Sequence, residues 1–341
     1  MTPEESIRGS MMTGKRIFQK PVVVVSRCIE FDHVRYNGDM ITSHAVSSMK
    51  PHITFIPICP EVEIGLGIPR DTIRIVLTEE GERLIQPSTE RDLTDEMSTF
   101  CSSFLDSLPT VDGFIMKNKS PTSGISEVKR YPSAGKSAPI GKGPGFFGRM
   151  ILDRYTDYPI EDEGRIRNRR IREHFLTRIF CLADLRAAEE KGTMQAIIRF
   201  HTENKLLFMA YSQPMLRKLG AIVGNRERQP AADIFSQYRP ILLSGMRRAP
   251  RFTSEINVAL HSFGHLKKSI SRDEKAFFLD ELESYRQGRA PLSGLKTLLR
   301  AWILRSGTPE LAEQTWFAPY PDPLMTLEPE DTERGRDMEV T

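Results

Sequence analysis

In the first half of the chain, apolar positions fall in short continuous runs separated by turn residues. Pro21–Ser26 (PVVVVS) holds four consecutive β-branched valines, as expected of a strand buried on both faces. Ile53–Ile58 (ITFIPI) is a second strand, with Pro57 placing it near a strand end or edge. Ile73–Leu77 (IRIVL) and Gly113–Lys117 (GFIMK) are a third and a fourth. Between the last two, Leu93, Met97, Phe100, Cys101, Phe104, Leu105 and Leu108 recur at helical spacing, which predicts an amphipathic helix over Asp92–Leu108. Strands interleaved with a helix argue for a Rossmann-like parallel α/β sheet. Residues 132–148 (PSAGKSAPIGKGPGFFG) read as a long loop.

The second half changes period. Arg165–Lys191, Thr193–Gly224, Asp233–Met246, Arg251–Lys268, Arg272–Gln287 and Leu292–Ser306 all read as helices, with Gly or Pro between them. Ser271 and Glu274 have the spacing of a capping box. The expected architecture is an α/β domain over 18–155, an all-α helical domain over 160–320 and an acidic, disordered tail over 321–341. A length of 341 residues suits two domains.

The net charge of +3 hides an asymmetry. Residues 161–310 carry 27 basic and 17 acidic side chains, and 20 of the cations are Arg, the residue best suited to bidentate phosphate contacts. Such a block reads either as a nucleic-acid face or as a solvated, salt-bridged helical surface. Arg165, Arg167, Arg169, Arg170 and Arg172 crowd one helix start, where cations oppose the macrodipole. That placement marks them as candidate RNA contacts, although Glu161, Asp162 and Glu163 just ahead of them offer neutralisation instead. Four cysteines rule out a secreted disulfide scaffold and suit a reducing, cytoplasmic compartment. No run approaches the about 18–20 apolar residues of a membrane span, and the first residues lack the apolar core of a signal peptide.

In an open parallel sheet, the loops beyond the carboxyl ends of adjacent strands meet at one crevice. Three apolar runs lead into unusual loops there. The first reaches Arg27-Cys28 and then Val34-Arg35-Tyr36-Asn37-Gly38. The second opens on Cys59 and continues through Glu61 to Arg70, and the fourth enters Ser120-Pro121-Thr122-Ser123-Gly124. Two thiols at one crevice point to zinc or iron–sulfur rather than a hard cation, unless both are small buried hydrophobes. Cys101 and Cys181 lie on apolar helical stretches and read as core. Glu61 is a candidate general acid or base, or else a carboxylate paired with Arg70. Arg35, Tyr36, Asn37 and Arg70 are candidate substrate-binding residues, Tyr36 by stacking and Asn37 by hydrogen bonds. The alternative for Asn37-Gly38 is a tight turn. Ser120 either donates to substrate or shapes its turn. No G-x-G-x-x-G follows the first strand, and no H-E-x-x-H accompanies the paired His261 and His265. His201, one helical turn before Lys205, reads as structural.

Cys28 with the following VRYNG, CPEVEIGLGIPR and KNKSPTSGI resemble the three signature loops of the TudS-like thiouracil desulfidases. The stretches FHTENKLLFMAYSQPMLRKLG, LKKSISRDEKAFFLDELESYRQGRAPLSGLKTLLR and WFAPYP resemble the helical domain of YbgA-type proteins. The two-domain combination is similar to RudS-type enzymes. The resemblance implies a [4Fe–4S] cluster held from the three loops with one iron open, and conversion of 2-thiouridine in tRNA to uridine. It maps the ligands to Cys28, Cys59 and the position of Ser123, where the family pattern SPSCG has cysteine. Glu61 and Ser120 become the catalytic candidates. The other readings are a desulfidase of free thiouracil and a non-catalytic RNA-binding protein whose cluster site is degenerate at Ser123.

Overall fold

A computed structural model describes residues 16–325. The N-terminal stretch read above as lacking a signal peptide, and most of the acidic tail, lie outside those residues. The expected class holds: a parallel-sheet α/β region precedes an all-helical region.

Four strands form the central sheet in the order β2-β1-β6-β9: β1 (Val22–Ser26), β2 (Thr54–Ile58), β6 (Gly113–Met116) and β9 (Ile160–Asp162). All neighbours are parallel, with Val24 opposite Ile56 and Phe114. From β1 the chain crosses by helix α1 (His44–Met49) to β2, and its later strand β6 adds on the other side of β1. That reversal leaves a crevice at the carboxyl ends of β1, β2 and β6. Val23, Val24 and Val25 are fully buried because both faces are covered. Val46 and Met49 of α1 lie against one face; Met97, Cys101 and Leu105 of α3 (Thr94–Ser107) and Phe147 and Ile151 of α4 (Phe146–Arg154) lie against the other.

Helix α5 (Arg169–Lys191) joins the two halves physically. Its 23 residues span about 34 Å. Phe175, Leu176, Ile179 and Phe180 share the core of the central sheet, whereas Cys181, Leu182, Leu185 and Ala188 belong to the core of the helical half. The contact is close: a Cβ on Gly113 would lie 2.9 Å from Ile179 Cγ2. The helical half comprises α6 (Met194–Glu203), α7 (Lys205–Tyr211), α8 (Gln213–Val223), α9 (Ala231–Gly245), α10 (Phe252–Leu266), α11 (Arg272–Arg286), α12 (Leu292–Ser306) and the short α13 (Pro309–Ala312). The capping box at Ser271 and Glu274 is formed. The returning chain places Tyr320 and Leu324 in the core of the central sheet.

Three details differ from the sequence reading. The strand read at Ile73–Leu77 forms, as β3 (Arg74–Thr78), but in a second sheet. There it pairs antiparallel with β4 (Gly81–Gln86) and parallel with β7 (Val128–Tyr131); β5 (Arg91–Asp92) and β8 (Gly141–Gly143) complete that sheet. Residues 132–148 therefore hold a strand and the start of α4 as well as loop. Finally, Thr193–Gly224 is three helices, because the chain turns at Asn204 and again at Ser212, whose hydroxyl caps α8.

Candidate active site

The carboxyl ends of the parallel strands surround a cavity of about 440 Å³. Backbone pairing brings them level: Ser26 lies opposite Ile58, and the Ser26 hydroxyl accepts from Lys117 N at 2.8 Å. Cys28 follows β1 by two residues, and Cys59 follows β2 directly as the N-cap of α2 (Pro60–Glu63). The loop after β6 carries Lys117, Ser120, Thr122 and Ser123. Both cysteines and Ser123 line the cavity and are under a tenth exposed. Ser123 is held in place through its neighbours. Gly145 N donates to Gly124 O at 2.7 Å and Gly148 N to Thr122 O at 3.0 Å, and a Cβ on Gly148 would lie 2.1 Å from Gly124 O. Only glycine lets α4 approach the loop this closely.

Burial pushes the Cys28 thiol up to about 12, helped by the neighbouring Cys59, while Lys117 opposes the rise. Cys59 is raised too, first by burial and then by Glu61; the Val62 amide, Arg70 and Arg27 favour its thiolate. Arg70 Nη2 donates to Cys59 Sγ at 3.8 Å. Among the described residues no three His, Cys, Asp or Glu side chains are grouped to hold a metal ion. The Ser123 side chain lines the same cavity as the two thiols.

Glu61 lies at the centre of a hydrogen-bonded network. It accepts from Arg70 Nε at 2.9 Å and from Arg70 Nη2, from Thr122 Oγ1 at 2.7 Å and from Ser120 Oγ at 3.4 Å. The pairing with Arg70 left open by the sequence is thus formed. Arg70 also donates from Nη1 to Val34 O at 2.9 Å and to Gly67 O at 3.2 Å. Its five N–H donors are all matched by protein acceptors, and its side chain is 4% exposed. The geometry makes Arg70 a strut between the first and second loops, with no donor left for a substrate. Ser120 shapes its turn by accepting from Thr122 N and Ser123 N at 3.3 and 3.2 Å.

Tyr36 is 45% exposed at the mouth, with the Arg35 guanidinium 5.6 Å from its ring centre. Asn37 is not among the cavity-lining residues: it bonds Asp39 within a turn closed by Gly38 N to Arg35 O, and Gly38 has φ +78°. Two contributors gave no signal in the sequence. Thr122 is the closest neutral donor to Glu61. Glu163, just past the short strand β9, turns inward to accept from Lys117 Nζ and from Asn118 N at 2.7 Å. Arg27, on the cavity wall, pairs with Glu63.

The five arginines around the start of α5 divide: Arg165 and Arg167 precede it, and Arg169, Arg170 and Arg172 lie in its first turn. Arg165 pairs with Glu161 at 2.7 Å and Arg169 with Glu173 at 3.0 Å. Arg172 is buried and donates to the carbonyls of Ile166 and Arg167. Arg167 and Arg170 are exposed, with no carboxylate partner among the described residues. His201 bonds Tyr238 OH at 3.0 Å, and burial lowers it to about 4. Cys101 and Cys181 are core. No helix among the described residues is long and apolar enough to cross a membrane.

Residues 23–163 match a family model described as 2-thiouracil desulfurase, and residues 205–321 match one described as a protein of unknown function, DUF1722. The chain is 30% identical over 148 residues to the uncharacterized protein YbgA of Escherichia coli K12, covering 43% of this chain and 88% of that protein. Among solved structures, the [4Fe–4S]-dependent thiouracil desulfidase TudS is 22% identical with a TM-score of 0.36, over 43% of this chain and 94% of that one.

Proposed function

Since this chain belongs to the YbgA family and carries a 2-thiouracil desulfurase domain ahead of its helical half, we propose that it removes sulfur from 2-thiouracil in tRNA, leaving uracil. The observation that carries the reading is the convergence of Cys28, Cys59, Ser123 and the Glu61 network on one cavity.

The donor set fits an iron–sulfur cluster with one departure. Cys28 and Cys59 offer the soft thiolates such clusters take, and the Ser123 hydroxyl lines the same cavity and would be the third ligand. When bound, the cluster would supply a thiophilic iron that polarises the thiocarbonyl carbon. The remaining work falls to the chain. Glu61, fixed by Arg70 and Thr122, is placed to orient a water or hold its proton. Tyr36 offers a stacking face at the mouth. The Arg-rich helical half supplies cations for an RNA backbone, with Arg167 and Arg170 exposed where it meets the sheet.

The test is anaerobic reconstitution with iron and sulfide, followed by incubation with thiolated tRNA and, separately, with free 2-thiouracil. Nucleoside mass spectrometry is expected to show 2-thiouridine becoming uridine in tRNA, with free base turned over more slowly. Equal or faster turnover of free base would point to a small-molecule desulfidase. Ser123 favours one second reading, an RNA-binding protein without a cluster. A chain that retains no iron after reconstitution but still binds tRNA would establish it.

A further inference from the structure

We propose that Lys117, held by Glu163, is the hydrogen-bond donor that selects a ring carbonyl over a ring amine in the pyrimidine occupying the cavity. The inference deepens the function proposed above and rests on it.

Five cations line the cavity. Arg35 reaches only an exposed carboxylate, Asp39, at 3.8 Å, and Lys119 is exposed with no carboxylate partner among the described residues. The other three each face a carboxylate closely: Arg27 with Glu63, Arg70 with Glu61 and Lys117 with Glu163. They are not equivalent. Arg70 has no donor to spare. Arg27 pairs with a carboxylate that is 35% exposed, so its position is loosely set. The partner of Lys117 is only 8% exposed, and its second oxygen is fixed by Asn118 N. The ammonium has three hydrogens. One goes to Asn118 O at 2.8 Å and one to Glu163 Oε1; the third has no protein acceptor among the described residues. The Lys117 side chain is 24% exposed and lines the cavity beside Cys28. The backbone beneath it is locked as well, by Lys117 N to Ser26 Oγ.

A cation with one free hydrogen, held by a buried carboxylate, is a preorganised donor. An ammonium cannot accept, so it rewards a carbonyl oxygen and leaves a ring amino group unmatched. Under the function proposed above C2 carries the sulfur, so the ring carbonyl left for Lys117 is the one at C4, and the substrate class is the 4-oxo pyrimidine with the 4-amino ring rejected. Glu163 acts through Lys117 and is a positioning residue.

The test uses the full chain with uridine and cytidine as probes, since neither contains sulfur and neither depends on iron for the contact. Binding is read by saturation-transfer NMR and competition. Wild type is expected to prefer uridine. Lys117→Met is expected to weaken uridine binding about 10- to 100-fold, the loss of a hydrogen bond from a charged donor, and to leave cytidine unchanged. Glu163→Gln is expected to reduce the preference partially, and Glu163→Asp to retain more of it. Because Lys117→Met strands a buried carboxylate, the double variant Lys117→Met/Glu163→Gln is the folded control and should show the same lost preference. A wild type without preference, or variants that keep it, overturns the inference. A preserved uridine preference in a loaded chain that leaves 2-thiouridine intact would sink the desulfidase reading alone.

Discussion

Replacing Arg70 with Met tests whether the site is built around this guanidinium. Arg70 is 4% exposed and its partner Glu61 13%, so the pair sits largely out of water. The substitution leaves Glu61 with only Thr122 and Ser120 as donors, and removes the donors to Val34 O, Gly67 O and Cys59 Sγ. Breaking a buried pair from one side costs about 3–5 kcal/mol, chiefly because a carboxylate is left uncompensated. With a urea dependence of about 2 kcal/mol/M, the unfolding midpoint of the α/β region should drop by about 2 M. The four cysteines give a local readout. Cys101 is fully buried against the sheet and Cys181 is 3% exposed in the helical core. Pulsed alkylation over a urea series, read by mass spectrometry, should show the shift at Cys101 and a smaller one at Cys181. Arg70→Met/Glu61→Gln should cost less than Arg70→Met alone, since the stranded charge is gone. A Cys101 midpoint lowered by under about 0.5 M, roughly 1 kcal/mol, would refute the assignment of Arg70 as a strut and return it to the candidate substrate contacts.

Ser123→Cys should slow iron loss to a chelator by about tenfold or more, as the third donor changes from hydroxyl to thiolate; identical iron content and loss rate would remove Ser123 from the ligand set. His174 and His201 are each lowered to about 4 by burial, so they fold neutral and must gain a proton as acid is added. The stability they contribute is present above about pH 6.5 and lost as pH falls toward 4. Fluorescence of Trp302 and Trp316, both in the helical core, should show this acid sensitivity reduced in His201→Gln. For tRNA, the double variant Arg167→Ala/Arg170→Ala should lower the slope of log affinity against log salt by about 1–2. Arg165→Ala should change it less, because Arg165 already pairs with Glu161.

The sequence revealed these parts of the site unequally, and the reason is burial. β1, β2 and β6 were readable because strands covered on both faces must be apolar, as PVVVVS, ITFIPI and GFIMK are. Parallel pairing then dictates that the residues after each strand meet, which brings Cys28, Cys59 and the Ser120–Gly124 turn to one crevice. The strand β9 had no such mark. It is Ile-Glu-Asp, short and mostly acidic, and exists because β6 offers it an edge. Glu163 follows that strand, so its turn toward Lys117 was invisible while its neighbours suggested a neutralising run for the arginines. The run at Ile73–Leu77 shows the converse limit: periodicity identifies a strand but not its partner, and β3 joined a different sheet. In the helical half, the apolar spacing of Thr193–Gly224 continues across Asn204 and Ser212, so period alone merged three helices. Arg70 and Asn37 belong to the same kind of miss. Both are polar residues in a loop near the crevice, and only the folded backbone decides that one is saturated by carbonyls and a carboxylate while the other closes a turn. Side-chain type told where chemistry could occur. Which donors stay free for a ligand depends on the neighbours that folding supplies, and at this cavity those neighbours make the free hydrogen of Lys117 the contact to test first.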